Sequence, residues 1–415
     1  QEMVADRVTD PLDQRVLDPS CGSGTFVFHA VKAYLAAAEA GGVGMGTAAV
    51  GATQHVFGID IHPVAVTLAR VTYLMAIGTS RLNARDRGAL SVPVFLGDSL
   101  QWERHADLFT DHEAITISSS AEDFITGGGR SLFSDDLVFP IPVWTDATEF
   151  DALINAMAAA VDATVAATTK TGKHNTKALD PILTRYGFSE DDRRVIRNTF
   201  ESWVGLQRQQ RDRIWGYYVR NLVRPVWLSR TENRVDVLVG NPPWLRYNKM
   251  PTAMQVRYNE LAQPRKLLTG RLGVSARDLS TLFVVRAIEL YLKDGGSFGF
   301  VMPFGALSRK PHTGFRTGAW HADDAPSLAV SFDSPWDLSR VPNLFPLTSC
   351  VVLGHHAPTA SPMPTAAVPW AAPKRGVQAH RLPEHDIAAI NAGTGAASPY
   401  AKLFRDGAIL YPRVL

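Results

Sequence analysis

Cysteine is almost missing from this chain: Cys21 and Cys350 are the two in 415 residues. Two thiols exclude a disulfide framework as the source of stability. Long apolar runs are missing too. None approaches the roughly 20 residues that a membrane-spanning helix requires, so no membrane partner is expected. The opening QEMVADRVTD lacks the charged and then apolar layout of a secretory signal. A soluble cytoplasmic protein is the expectation. Neither sign of charge dominates. The formal net charge is +2, so any nucleic-acid footprint has to be local. No helicase P-loop, nuclease-type acidic constellation, metal-ligand cluster or internal repeat is found. The twelve histidines are scattered, and no metal is expected.

What is present is an ordinary globular balance, 46% hydrophobic and 20% charged, with ample material for a core. The length suggests two or three domains. Arg outnumbers Lys, which favours bidentate contacts to phosphate or carboxylate. The chain opens within what reads as a helix and stops on the apolar run LYPRVL. It is expected to be a piece of something longer.

Strand and helix signals alternate along two stretches. Strands are predicted at 15–18, 55–60 and 92–98, with helices at 25–40 and 62–78 between them. Pro63 suits the first turn of the second helix. The Gly-rich GGVGMG is read as the loop that ends the first helix. Alternation resumes with a strand at 235–240, a helix at 275–296 with a Gly stop, and strands at 297–303, 327–333 and 349–356. This predicts an α/β fold, a doubly wound parallel sheet of the Rossmann kind. Residues 101–233 read as a mainly helical insertion between the third and fourth strands. The expected organisation is therefore 1–100 and 234–356 as two halves of one domain, with 101–233 inserted. Residues 357–415, Pro- and Ala-rich at first, read as a linker into a C-terminal region.

The ends of the predicted strands carry the chemistry. The first delivers DPSCGSG to the carboxyl edge of the sheet, where open α/β sheets bind ligands. Gly22 and Gly24 permit a tight turn and a close approach of backbone to ligand. The helix that follows offers free N–H groups. Asp60 ends the second strand, placed to accept from ribose hydroxyls; helix capping is the plainer role for it. Asp98 ends the third and could accept from an adenine amino group. The fourth, VLVG, runs into NPPW. Two prolines remove two donors and stiffen the loop, and Pro242 pushes Asn241 into an extended conformation. Such a loop presents an amide, free carbonyls and an indole face, which suits a flat polar ligand.

The motifs DPSCGSGTF, GIDIHP, LGDSL, VGNPPW and GGSFGFVMP stand in the order found in gamma-class amino-methyltransferases. The chain resembles that family, which methylates adenine N6 in DNA. Its members include type I modification subunits, fused type IIG enzymes and methylases of phage-defence clusters. The resemblance covers most of 16–99 and 235–356 and not the insertion. It implies S-adenosylmethionine as cofactor and double-stranded DNA as partner, with other subunits of a restriction-modification or defence system possible. It assigns Asp18, Pro19, Gly22, Ser23 and Gly24 to the methionine part of the cofactor, flanked by Thr25 and Phe26. Asp60 with Ile61 would hold the ribose, and Asp98 with Ser99 the adenine. Asn241, Pro242, Pro243 and Trp244 would form the catalytic loop. Phe345, in VPNLFPLTSC, is the candidate for a second aromatic wall beside Trp244; a core Phe is the competing role. The family usually has Tyr or Phe where Trp244 stands. Its other cofactor segment normally precedes the first strand, where only residues 1–14 stand here.

The chemistry fits these residue types. Adenine N6 is a poor nucleophile because its lone pair is delocalised into the ring. Two acceptors on its hydrogens, the Asn241 oxygen and the Pro242 carbonyl, would localise that pair. Alignment and electrostatics can then supply most of the catalysis. The base must be flipped from the duplex, and Trp244 would stack on it.

Competing readings are cytosine-N4 methylation, methylation of protein glutamine, and a catalytically silent DNA-binding module. The Arg-rich stretch with Arg193, Arg194, Arg197, Arg208, Arg211, Arg213 and Arg220 reads mainly as a solvated helix face, with Trp203, Trp215 and Tyr218 packing a helical core. The loop at 264–271, PRKLLTGR, is the better candidate for DNA contact.

Overall fold

The computed structural model describes residues 1–100, 114–117, 137–140, 147–166, 179–185, 188–208, 224–268, 277–322, 325–341, 347–372, 379–383 and 385–386. Phe345, Trp215, Tyr218, Arg211, Arg213, Arg220 and the tip of the 264–271 loop lie outside them. The chain divides into two compact units. One joins Gln1–Val94 to Arg230–Leu415, and the other is Phe95–Ser229.

In the first unit a short helix, α1 (Glu2–Arg7), precedes β1 (Val16–Asp18), a strand buried at every residue. Next comes α2 (Thr25–Ala40). Its buried residues Val27, Ala30, Val31, Tyr34, Leu35 and Ala38 recur at helical spacing on one face. Helix α3 (Met45–His55) and β2 (Val56–Asp60) follow, then α4 (Pro63–Ile77), with Pro63 in its first turn, and β3 (Val94–Leu96), of which Val94 alone belongs to this unit. After the second unit come β4 (Val235–Gly240), α5 (Thr252–Ala262), α6 (Leu279–Tyr291) and β5 (Leu292–Pro303). Then follow β6 (Ala319–Ala322), β7 (Ala325–Phe332), β8 (Trp336–Arg340), β9 (Ser349–His356) and β10 (Ala366–Ala371). Two-residue strands β11 (His380–Arg381) and β12 (His385–Asp386) end the described chain.

These strands make a mixed α/β structure around one sheet of twelve strands; nine follow the order β11-β10-β8-β9-β5-β4-β1-β2-β3, while β12 pairs with β10, β7 with β9, and β6 with β7. Strand β1 pairs parallel with both β2 and β4, and β4 pairs parallel with β5. β9 returns antiparallel to β5. The last three residues of β9 also pair with β7, and its second and third with β8. β4 is VDVLVG, buried at all positions but Asp236. A nearly continuous apolar run is what a parallel strand covered on both faces requires. From β1 the chain steps to β2 and β3 on one side and to β4 and β5 on the other. The order therefore reverses between β1 and β4, and the carboxyl ends of strands at such a point are where open α/β sheets bind ligands.

Several elements differ from the sequence reading, which expects none of α3, α5 and β6. The helix expected at 275–296 ends at Tyr291 rather than at the Gly pair. Leu292–Gly296 instead begins β5, and the β4–β5 register shifts between Val235 and Val237 to absorb the extra residues. Residues 336–340, expected as loop, form β8. Part of the Pro- and Ala-rich stretch, read as linker, forms β10, which pairs parallel with β8.

The second unit has its own core. The strands Ala114–Ile117 and Leu137–Pro140 pair antiparallel. Helices span Ala147–Ala166, Asp180–Arg185 and Glu190–Arg208. Leu137, Phe139, Ile154, Met157, Phe200 and Trp203 are buried together. Arg193, Arg194 and Arg197 face Glu190, Asp191 and Asp180 in ion pairs, so this part of the Arg-rich stretch is neutralised by its own helices. No helix among the described residues is long and apolar enough to cross a membrane.

Candidate active site

Asp18 and Asn241 stand at the point where the sheet reverses order. Asp18 ends β1 and is 1% exposed. Its Oδ1 accepts from the Ser20 N–H at 3.1 Å, while its Oδ2 is buried without a partner. Burial raises its pKa well above the ordinary carboxyl value; the Ser20 N–H opposes this, and the charge of Asp60 adds to it. Asn241 follows β4, and its side-chain Oδ1 is likewise buried without a partner. Buried acceptors are nearly always satisfied in folded proteins. Two orphaned oxygens on adjacent strand exits are therefore a signal of a ligand that brings donors.

The backbone around them is closely fitted. The Ser20 hydroxyl donates to the Asn241 carbonyl at 3.1 Å. Gly240 ends β4 against Asp18: a Cβ there would lie 2.6 Å from Asp18 Oδ1. The Cys21 N–H donates to the Ile59 carbonyl at 2.9 Å. Gly22 and Gly24 take φ values of 53° and 91°, in the left-handed region that favours glycine. A Cβ on Gly24 would stand 3.0 Å from the Ala69 Cα, so this glycine lets α2 and α4 approach. Pro19 is buried, Ser23 and Thr25 are exposed, and Phe26 is half-buried at the start of α2. Cys21 is buried, and that burial raises its thiol pKa far above the reactive range.

Asp60 is tied into the same turn. Its Oδ2 accepts from the Gly22 N–H at 2.9 Å and its Oδ1 from the His62 N–H at 2.8 Å. Each carboxylate oxygen retains a lone pair for a further donor. The N-cap of α4 is His62, and Asp60 bonds that residue's own N–H rather than a donor of the first turn, so the capping role is not taken by Asp60. Ile61, beside it, is 56% exposed. Asp98 and Ser99 follow β3 in the second unit. Asp98 is half-buried and accepts from the Leu100 N–H at 3.0 Å, and Ser99 is buried.

Beyond Asn241, Pro242 is buried and Pro243 is exposed. Trp244 is half-buried, and its indole N–H points to the Val301 carbonyl of β5 at 3.4 Å. The next residues pair with the segment entering α6. The Leu279 N–H donates to the Leu245 carbonyl at 2.9 Å, and the Tyr247 N–H to the Arg277 carbonyl at 3.0 Å. Asp278 caps α6 by accepting from the Ser280 N–H at 2.8 Å. The Asn-Pro-Pro-Trp loop is therefore held on three sides, by Ser20, by β5 and by the entry to α6.

The structure thus brings together Asp18, Gly22, Gly24, Asp60 and Asn241. Sequence reasoning missed Ser20 and Gly240. Ser20 stood inside the quoted DPSCGSG run, and its place between Asp18 and the glycines was the available signal. A polar cleft of about 500 Å³, lined by Asp6, Arg7, Gln14, Asp236 and Ser297 among others, opens instead by the amino ends of β4 and the paired part of β5. It lies away from all of these side chains. No group of three His, Cys, Asp or Glu suited to a metal ion occurs among the described residues.

No curated protein matches the chain. Among solved structures, it is similar to the DNA-bound ATP-dependent type ISP restriction-modification enzyme LlaBIII, at 11% identity and a TM-score of 0.44, over 89% of this chain and 19% of that one. It is similar to the nuclease-deletion mutant of the type ISP enzyme LlaGI in complex with a DNA substrate mimic, at 11% identity and a TM-score of 0.45, over 89% and 23%. It is also similar to the M protein of the type I restriction enzyme EcoKI, at 9% identity and a TM-score of 0.37, over 87% and 44%. The chain spans about a fifth of the length of the first two. The family model described as "Eco57I restriction-modification methylase" matches residues 54–318. That span holds Asp60, Asn241, Trp244 and all of β5, and it exceeds half of the sequence: the chain belongs to the Eco57I restriction-modification methylase family.

Proposed function

We propose that the chain is the catalytic core of a DNA adenine-N6 methyltransferase that uses S-adenosylmethionine, within a restriction-modification or phage-defence system. The observation that carries this is the pair of buried, unpartnered oxygens, Asp18 Oδ2 and Asn241 Oδ1, at the two strand exits flanking the reversal of the sheet.

The residues present fit the cofactor. The Asp18 carboxylate suits the ammonium of its amino-acid part, and the N–H groups at the start of α2 suit the carboxylate. The Asp60 carboxylate has acceptor capacity for ribose hydroxyls. Asp98, from its place after β3 in the sequence, is assigned the adenine amino group. S-adenosylmethionine supplies, when bound, a methyl group already activated on a sulfonium. What remains for the protein is to present the target amine. The Asn241 oxygen and the Pro242 carbonyl accept its two hydrogens and localise its lone pair. Ser20, Gly240 and the two prolines keep these acceptors fixed, which lowers the cost of reorganisation at the moment of transfer. Trp244 is the stacking platform for the flipped base, with Phe345 as its proposed counterpart.

In this reading β3-β2-β1-β4-β5, with β9 antiparallel at its side, is the centre of a doubly wound methyltransferase sheet of seven strands. Residues 101–233 are a helical insertion, and residues beyond 356 lead into a target-recognition region. The test is transfer of a labelled methyl group from S-adenosylmethionine to duplex DNA of mixed sequence, followed by hydrolysis to nucleosides. N6-methyladenine that disappears in Asn241→Ala is the expected product. N4-methylcytosine would transfer the reading to the cytosine branch. A parent chain that binds S-adenosylmethionine in calorimetry but labels no base would mark a silent DNA-binding module.

A further inference from the structure

The segments that frame the Asn-Pro-Pro-Trp loop are nearly devoid of carboxylates. Residues 241–268 carry Arg246, Lys249, Arg257, Arg265 and Lys266 against Glu260 alone. Residues 303–322 carry Arg309, Lys310 and Arg316 against no acid at all. In a chain whose net charge is +2, this is a concentration of positive charge.

Two of these cations are buried fixtures, and a third pairs at the surface. Arg265, 3% exposed, holds Glu289 through two bonds of 2.8 and 2.9 Å, and Arg286 holds the same carboxylate at 2.8 Å. Arg316, 2% exposed, donates to the carbonyls of Ala306 and Arg309 at 3.0 and 2.9 Å. Arg257 pairs with Glu260. The rest face outward: Lys249, Lys266, Arg309 and Lys310 are exposed, and Arg246 is half-buried.

The two segments are locked to each other. A Cβ on Gly314 would stand 2.0 Å from the Lys266 carbonyl, so glycine is required for their contact. Lys266 itself takes φ 56°, the one non-glycine residue with positive φ among those described. That conformation is disfavoured for any residue with a side chain, and the buried Arg265–Glu289 pair flanks it. Arg246 and Arg309, from different segments, both act on the buried carboxylate of Asp278. The basic side chains thus sit on a braced frame around the exit of β4.

We propose that Arg246, Lys249, Lys266, Arg309 and Lys310 form a rim that binds the phosphates of the DNA strand presented to the Asn-Pro-Pro-Trp loop. The inference rests on the methyltransferase reading and adds where the backbone is gripped. It is the local footprint that a nearly neutral chain needs. The buried members of the cluster, Arg265 and Arg316, shape the rim without touching DNA.

The test is binding of a fluorescent duplex of mixed sequence by the parent chain, Lys310→Ala, Lys249→Ala and Arg309→Ala, across a salt series. Arg81→Ala, which removes a half-buried charge paired with Glu39, is the control. Each rim variant should lower the slope of log affinity against log salt by about 0.9 and weaken binding about fivefold near physiological salt. The loss should be the same for unrelated sequences. Parental slopes in all three rim variants would overturn the proposal, as would an equal loss in Arg81→Ala or a preference for single-stranded RNA over duplex. Calorimetry with S-adenosylmethionine and the methyl-transfer assay separate the two readings. Methyl transfer with rim variants of parental DNA affinity removes the rim alone. Rim-dependent DNA binding without transfer by the parent removes the methyltransferase reading alone.

Discussion

The hydroxyl of Ser20 donates to the backbone carbonyl of Asn241 across 3.1 Å. One hydrogen bond thus ties the exit of β1 to the exit of β4, the two strands that flank the reversal of the sheet. If the Asn241 amide must meet an amine in one orientation, this bond is part of the alignment. Ser20→Ala should lower kcat for methyl transfer about five- to tenfold, the equivalent of roughly 1 kcal/mol. S-adenosylmethionine affinity should change far less. Calorimetry and steady-state kinetics on one preparation would show the split. A loss confined to cofactor binding would place Ser20 in the cofactor pocket instead.

Gly240 makes the same junction from the other side. With 2.6 Å between a Cβ and Asp18 Oδ1, Gly240→Ala must move either the carboxylate or the strand. Both Asp18 and Asn241 would shift. Overpacking of this kind costs about 1–3 kcal/mol, so the variant should fold with a lowered melting temperature and no detectable methyl transfer. Wild-type activity in a folded Gly240→Ala protein would show that the two strand exits need no such fit.

The parts of this site that sequence reasoning recovered share a cause. β1, β2 and β4 are short apolar runs closed by Gly, Asp or Asn-Pro, and turn chemistry is strongly local. Asp18, Asp60 and Asn241 follow from it directly. What was missed depends on distant contacts. Helix α3 has no signal in the sequence beyond its first two residues, which fall in the run GGVGMG expected as a loop, yet its small residues serve close packing. A Cβ on Gly46 would stand 2.3 Å from the backbone nitrogen of Arg87, and the Gly46 N–H bonds Asp86. Leu292–Gly296 looked like a helix end because glycines usually stop helices; here they enter a bulged strand. β8 is made by pairing with β9 on one side and β10 on the other, and β10 by pairing with β8; nothing in WDLSR or AAVPWA announces those partners. Ser20 is a small polar residue whose role appears only once β4 is alongside.

Asp18 carries a prediction about pH. Burial raises its folded-state pKa above the ordinary 3.8. The native state therefore keeps a proton that the unfolded chain has lost, and stability falls as pH rises from about 4 through the folded value. Asp18→Asn keeps an acceptor for the Ser20 N–H and does not titrate. It should melt at a higher temperature than the parent at pH 7, and the gap should close below about pH 4. The same variant should bind S-adenosylmethionine more weakly, because the charge that costs stability is the one assigned to the cofactor's ammonium. Thermal unfolding followed by circular dichroism over a pH series checks the first part. A gap independent of pH would mean that Asp18 does not ionise in this range.

Trp244 separates packing from recognition. Its indole is half-buried and aimed at the Val301 carbonyl by a bond of 3.4 Å, too long to contribute much to stability. If the ring is instead the platform for a flipped base, its value appears only with DNA present. Stacking on an aromatic side chain is worth about 1–3 kcal/mol per base. Trp244→Ala should therefore cost between roughly fivefold and a hundredfold in kcat/KM for DNA, with little change in melting temperature. Trp244→Phe, which matches the resembled family more closely, should recover most of the loss. The rise in 2-aminopurine fluorescence when the target base leaves the stack should be smaller in Trp244→Ala than in the parent. Equal losses in the Ala and Phe variants, joined to a fall in melting temperature, would make Trp244 a packing residue and leave the flipped base without its platform.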